Sequence, residues 1–150
     1  MTLMAKKGFT LIEMLIVIAI ISILSSIFLV GLRGFRGGAY DSRRIADLQK
    51  IQSYLEIYYT KYRTYPDTSN NWTSLQGMLR SAGITSIPND PLFESAGQTY
   101  YYGVDTNDFQ SYILGAKFST SDHASLREST EPDGTILGVD CDDPVFCVQI

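Results

Sequence analysis

The sequence is poor in the residues that most often carry chemistry. It holds one histidine, His123, one tryptophan and two cysteines, Cys141 and Cys147. A zinc site would need at least two further ligands, and the Cys-x-x-Cys spacing of a redox pair is absent. Ser121, Asp122 and His123 are consecutive, so their side chains diverge and cannot form a hydrolytic relay. No glycine-rich phosphate loop follows a predicted strand. With no nucleophile–base pair and no metal spacing, the chain reads as a non-enzyme with His123 as a loop residue. Cations are also scarce: 12 Lys and Arg stand against 16 Asp and Glu, for a formal charge of −4. Nothing in that balance supports general nucleic-acid binding, which needs a broad cationic face. Proline is missing from residues 9–64, and charge is almost missing from residues 9–32, where Glu13 stands alone.

That apolar run is the main feature present. Twenty-four helical residues reach about 36 Å at 1.5 Å each, enough for a hydrocarbon core of about 30 Å. A secretory signal peptide fits poorly, because the run is too long for a signal core and no small-residue cleavage site follows it. A plain signal anchor is the simpler alternative. A carboxylate inside such a segment is costly and asks for a partner. Lys6 and Lys7 flank one end of the run, while Arg33, Arg36, Arg43 and Arg44 follow the other. Taken by itself, this cation bias favours a cytoplasmic carboxyl side.

From the end of the run onward, Gly31, Gly34, Gly37 and Gly38 weaken the helix and predict a soft joint. Residues 40–64 then form an amphipathic helix. Ile45, Leu48, Gln52, Leu55, Tyr59 and Tyr62 mark its stripe, widened by Ile51 and Tyr58, with Arg43, Arg44, Asp47, Lys50, Glu56 and Lys61 off it. Tyr65-Pro66 stops it, and the aromatic stripe is expected to pack on a sheet. A short helix is predicted over 72–82, ended by Gly83. Ile87-Pro88-Asn89-Asp90-Pro91 is extended or turning. Strands over 98–104 and 109–117, joined by Asp105-Thr106-Asn107-Asp108, read as a hairpin. Residues 119–133 read as loop, and a last strand over 135–139 precedes the cysteine segment. About 118 residues beyond the run suffice for one modest core.

Lys6-Lys7-Gly8-Phe9-Thr10-Leu11-Ile12-Glu13, followed by the apolar run, resembles the amino terminus of type IV pilins and secretion pseudopilins. The resemblance is specific over residues 1–32 and looser over 40–118. It implies an α+β fold, with a long amino-terminal helix packed on a small antiparallel sheet. It implies three segments: a leader at 1–8, a transmembrane and filament-core helix at 9–32, and an extracytoplasmic head at 33–150. A prepilin peptidase would cut between Gly8 and Phe9 and methylate Phe9, removing two cations and taking the formal charge from −4 to −6. Glu13 would then meet the amino terminus of a neighbouring subunit and set the axial register, since a paired charge in apolar surroundings penalises slips. The implied partners are other pilin-like subunits, the peptidase, an inner-membrane platform and a cytoplasmic assembly ATPase. Against the cation bias, the resemblance places the amino terminus in the cytoplasm. Before assembly the chain would span the cytoplasmic membrane once; afterwards it would stand in a surface pilus or a periplasmic pseudopilus.

With the head outside the cytoplasm, the even count of cysteines reads as a short Cys141–Cys147 disulfide, clamping an exposed tail. Calcium occurs in some secretion pseudopilins, and Asp105, Asn107, Asp108 and Asp122 offer oxygen ligands. The EF-hand spacing is absent, however, and Asp and Asn at a turn are turn formers first. Asp140, Asp142 and Asp143 read as a solvated acidic cluster. Two departures from many pilins, the unbroken 9–64 segment and the short cysteine loop, leave pilus subunit and secretion pseudopilin both open. A signal-anchored extracytoplasmic binding domain that never polymerises is the alternative of another class.

Overall fold

The computed structural model describes residues 9–127 and 132–150, the side chains of residues 27–34 excepted. The leader, with Lys6, Lys7 and Gly8, lies outside the described residues. Two compact units make up the chain, Met1–Arg36 and Gly37–Ile150. Helix α1, Leu11–Tyr62, begins in the first and ends in the second. The glycines leave its backbone helical, and the boundary between the units falls among them.

In the first unit, nothing in the sequence interrupts a helix, and Thr10 starts it. All residues from 9 to 26 are exposed. In the second unit, α1 buries Asp41, Arg44, Leu48, Ile51, Leu55 and Tyr58, a line that alternates steps of three and four. This corrects the predicted stripe. Ile51 and Tyr58 lie on its axis, Ile45, Gln52 and Tyr59 flank it, and Tyr62 is exposed. Arg44, placed off the stripe by its charge, is fully buried. The helix closes at Arg63, whose left-handed φ of 63° turns the chain toward Tyr65 and Pro66.

Helix α2, Trp72–Ser81, starts at Asn71, whose side chain accepts a hydrogen bond from the Ser74 N–H. Gly83, at φ 103°, ends it. A single turn, α3, covers Phe93–Ala96. Strands β1 (Tyr101–Val104) and β2 (Tyr112–Lys117) form the expected antiparallel hairpin, each starting later than predicted. Their connection is correspondingly longer. In it, Asp105 accepts from the Asn107 N–H, Asp108 accepts from the Gln110 N–H, and Phe109 sits at φ 57°. A 3₁₀ turn at Ala124–Leu126 interrupts the predicted loop, with His123 as its cap.

The predicted strand at 135–139 is instead a tight hairpin, β3 (Thr135–Ile136) and β4 (Val139–Asp140). Leu137 and Gly138 form its two-residue turn, both at positive φ. The third strand of the main sheet is β5, Val145–Gln149, in a segment the sequence reading treated as the end of a disulfide loop. Sheet order is β1-β2-β5, antiparallel throughout.

Both faces of β2 are covered. Tyr112, Leu114 and Ala116 join α1 and α2 in the main core, with Tyr100, Tyr102 and Phe118. Ile113 instead packs with Val139, Cys141 and Cys147 on the opposite face. Two glycines make room there. A Cβ at Gly103 would collide with the Leu137 carbonyl oxygen, and one at Gly115 would stand 3.3 Å from the Cys147 Sγ. The second unit is therefore layered: helices, sheet, then the β3–β4 hairpin with its disulfide.

Candidate functional site

The amino-terminal end of α1 is built from two residues that satisfy each other. Thr10 Oγ1 accepts a hydrogen bond from the Glu13 N–H at 3.3 Å. In return Glu13 Oε2 accepts from the Thr10 N–H at 2.8 Å and from its hydroxyl at 2.7 Å. This reciprocal arrangement is a capping box, which occupies two N–H groups that a helix start leaves unpaired. It also holds the Glu13 side chain in one rotamer at the start of the helix. Sequence reading gave Glu13 a partner in another subunit and overlooked Thr10, although the Thr-x-x-Glu spacing is itself a cap signal.

Around this carboxylate the helix is apolar on every side. Phe9 is 83% exposed, Leu11 87% and Ile12 66%, and exposure continues through Ile23 and Leu24. Such a surface is unlike the one-sided stripe of a helix lying on its own core. Among the described residues, no helix is long and apolar enough to cross a membrane. The run read as membrane-spanning, 9–32, extends into residues 27–34, whose side chains lie outside the description.

The second unit holds a buried ionic cluster. Arg44 Nε and Nη2 donate to the two oxygens of Asp90 at 2.7 and 3.1 Å, and Nη1 donates to Asp41 Oδ1 at 2.7 Å and Ser119 Oγ at 2.8 Å. Asp41 also accepts from the N–H groups of Ser119 and Thr120 and from the Thr120 hydroxyl. All three charged side chains are fully buried. Burial alone would raise the Asp41 carboxyl, but hydrogen bonds from Thr120, Ser119 and Arg44 outweigh it and hold it below its usual range. Burial likewise opposes the Arg44 charge, and its pairing with Asp90 and Asp41 reverses that effect. The cluster ties α1 to the Asn89-Asp90-Pro91 turn and to the end of β2. It also means that one of the four arginines counted in the cation bias is already compensated.

Residues 3–29 match the prokaryotic N-terminal methylation motif. Over 87 residues the chain is 39% identical to the type IV wide pilus major component PilA4 of Thermus thermophilus, covering 58% of this chain and 61% of that one. It is 30% identical over 96 residues to the type II secretion system core protein G of Aeromonas hydrophila, covering 57% of this chain and 67% of the relative. Identity to the type IV major pilin protein PilE1 of Neisseria gonorrhoeae is 33% over 85 residues, 57% of this chain and 46% of the relative. The chain belongs to the pilin and pseudopilin family. These matches span from 46% to 67% of the relatives' lengths. No solved structure matches the chain at the same stringency.

This pilin-like subunit is a structural protein and not an enzyme. Phe9 and Glu13 stand together at its helix start, while Gly8 lies outside the described residues. Cys141 and Cys147 form the disulfide, with Cα atoms 5.7 Å apart. The cysteines themselves are buried, Cys141 at 0% and Cys147 at 1% accessible, while Asp142, Asp143, Gln149 and Ile150 of the same tail are exposed. Cys141 follows β4 and Cys147 sits within β5, so the bond staples hairpin to sheet. Asp105, Asn107 and Asp108 share the β1–β2 connection, where Asp105 binds both the N–H and the side-chain amide of Asn107. Asp122 lies beyond the opposite end of β2. Among the described residues, no group of three or more His, Cys, Asp or Glu is placed to hold a metal ion. His123 has a structural post: its Nδ1 accepts from the Ser125 N–H, and its ring meets Phe118 edge-on.

Proposed function

We propose that this chain is a structural subunit of a type IV pilus-like filament, cut by a prepilin peptidase between Gly8 and Phe9 and assembled through its amino-terminal helix. The observation that carries the reading is the all-round apolar surface of residues 9–26 around a single carboxylate. Each large apolar side chain taken out of water contributes about 1.5–3 kcal/mol. Such a helix must be covered, first by lipid and then by helices like itself. An apolar helix moved from bilayer to bundle leaves one covering for another, so neighbours supply close packing and not a fresh hydrophobic gain. Glu13 supplies what packing lacks, a preferred axial register. Its Oε2 serves the cap, and Oε1 is left to meet the methylated amino group of a neighbouring Phe9. The inner-membrane platform and cytoplasmic ATPase of such systems would extract the helix from the cytoplasmic membrane, where it waits with its amino terminus inside.

A second reading, a pseudopilin of a type II secretion system, is favoured by a different fact. The secretion core protein G of Aeromonas hydrophila is the relative covered to 67% of its length. Both readings share processing and assembly and differ in where the polymer accumulates. Mass spectrometry of material sheared from cells separates them through the peptide that begins at Phe9 with an added methyl group. Abundant modified peptide in the sheared fraction is the result expected for a pilus. Modified peptide confined to the membrane fraction supports the pseudopilus. An uncut Met1 start in cells with active peptidase would falsify both.

A further inference from the structure

We infer that successive subunits join through the two long borders of the exposed face of α1. The basic border of one copy lies against the acidic border of the next, so the α1 helices stay side by side. This rests on the filament reading above and specifies the charges that align one head on its neighbour.

Both borders follow from helix geometry. At about 100° per residue, Arg43, Lys50 and Lys61 fall on one line of α1, within about 20° of one another. All three are exposed. Glu56 lies about 120–140° round the helix from them. The core-facing line through Leu48, Ile51 and Leu55 runs between the two on the inner side. Tyr54, on the basic side, donates to the Ser86 carbonyl at 2.9 Å, so the segment around Ser86 flanks this border. Among the described residues neither Lys50 nor Lys61 has a carboxylate within ion-pair distance, although each leans over a tyrosine of its own helix. Arg43 is only loosely paired, with Asp47 at 3.7 Å, and Asp47 also accepts from the Tyr100 hydroxyl.

On the other border the β1–β2 connection adds to Glu56. Tyr59, on the same side of α1 as Glu56, donates to Gln110 Oε1 at 2.5 Å, and Gln110 Nε2 donates to the Arg63 carbonyl. These bonds hold Asp105 and Asp108 beside the carboxyl-terminal end of the helix. Each spends one oxygen on its own turn, and neither has a cation within ion-pair distance among the described residues. Glu56 likewise gives one oxygen to the Tyr65 hydroxyl. Three carboxylates stand along this border, and Arg63, exposed beside them in the chain, offsets at most one.

Between the borders the face is uncharged: Ser42, Ala46, Gln49, Ser53, Ile57 and Thr60 are all exposed. Its three hydroxyls donate to carbonyls of their own helix, at Gly38, Gln49 and Glu56. Covering the face therefore strands no hydroxyl donor. A two-fold dimer needs one self-complementary patch, whereas two different borders join heterologously and generate an open series. Every α1 then stays on the same side of that series, as helices that cover one another require. The occupant of each border is a second copy of this chain. Contacts between exposed charges are screened by salt over about 8 Å at physiological ionic strength. They would thus set orientation, with the apolar helices supplying the hold.

Charge reversal tests this in the full-length chain in its native cell. Asp105 takes two hydrogen bonds from Asn107, so Glu56→Lys with Asp108→Lys is the acidic-side variant. Lys50→Glu with Lys61→Glu is the basic-side variant. The readout is assembled subunit, in the sheared or membrane fraction, against the pool of processed monomer. Each side reversed alone is expected to lower assembled subunit at least about fivefold with an unchanged processed pool. The combination is expected to restore it to within about twofold of the parent. A smaller loss from either side would overturn the inference and leave the filament reading standing. So would loss that the combination fails to restore, or loss confined to the basic-side variant, the result expected if nucleic acid or anionic lipid occupies that border. A parent chain that never assembles would remove both. Because Glu56 also serves Tyr65, a misfolded variant would shrink the processed pool, and carbodiimide coupling of the parent then decides. Lys50 or Lys61 joined to Glu56, Asp105 or Asp108 in cross-linked dimers from assembled material, and absent from detergent-solubilised monomer, supports the contact. Assembled material without that product, or monomer that yields it equally, overturns it.

Discussion

Arg44 brings a full charge into a fully buried site and stays there because two carboxylates and a hydroxyl answer it. Asp90 receives it bidentately, Asp41 and Ser119 take the two N–H groups of Nη1, and Asp41 is itself held by Ser119 and Thr120. Lysine could not reproduce the planar fork that meets Asp90. Removing the guanidinium strands two buried carboxylates, which is the expensive way to break such a cluster. Arg44→Met is therefore expected to destabilise the head by about 3–5 kcal/mol, out of a total of about 5–15. Guanidinium denaturation of the detergent-solubilised protein, followed by circular dichroism, measures this; a loss below about 1 kcal/mol would contradict the assigned role. The charge type of Arg44 misled the sequence reading. Its burial depends on Asp90, 46 positions away, and no helical pattern contains that information.

At the scale of elements, the informative case is the carboxyl-terminal strand. Val145 to Gln149 carries a strand composition, but five residues beside a cysteine loop are ambiguous until a partner is known. The partner is β2, whose register sets Gly115 against Cys147. That glycine leaves room for the sulfur, and the disulfide then fixes β5 to the hairpin on the far face. Replacing both Cys141 and Cys147 with serine removes a cross-link over a short loop, a change worth about 2 kcal/mol on loop-closure grounds. The buried site adds to this by leaving hydroxyls without partners. The expected result is a lower denaturation midpoint for the double variant, matched by reduction of the parent. The effect belongs to the second unit, so cleavage before Phe9 and helix content over the apolar run should be unchanged. A midpoint equal to that of the oxidised parent would show that the staple holds nothing.

At the scale of the whole molecule, aromatic packing replaces part of the aliphatic core. Tyr102 donates to the Pro66 carbonyl, Tyr100 to Asp47 and Tyr65 to Glu56, and Tyr112 meets Tyr65 edge-on. Burial pushes the phenols of Tyr65, Tyr100, Tyr102 and Tyr112 well above their ordinary value, and nearby carboxylates add to it for all four. A phenol that ionises near pH 10 when unfolded but resists ionisation when folded gives stability that is complete below about pH 10 and falls above it. Asp41 acts at the other end. Its lowered carboxyl contributes stability present above its unfolded value of 3.8 and lost as pH falls through the folded one. Thermal midpoints should thus hold level through neutral pH, fall in strong acid and fall again in alkali. In alkali, tyrosinate absorbance should rise together with loss of ellipticity. Ionisation of all ten tyrosines near pH 10 with the fold intact would refute the account.

Local rules suffice for much of this protein. A proline-free segment with an apolar run and a Thr-x-x-Glu start must be helical and must be covered by something apolar. The α2 helix, the β1–β2 hairpin and the cysteine pairing were likewise readable, because each depends on neighbours within about fifteen residues. Other features required the folded chain. Arg44 is buried because of Asp90, β5 is a strand because of β2, and 135–139 is a hairpin because Leu137 and Gly138 turn against Gly103 and Asn70. Each is a relation between distant segments, and its energy exists only after packing has removed water from between them.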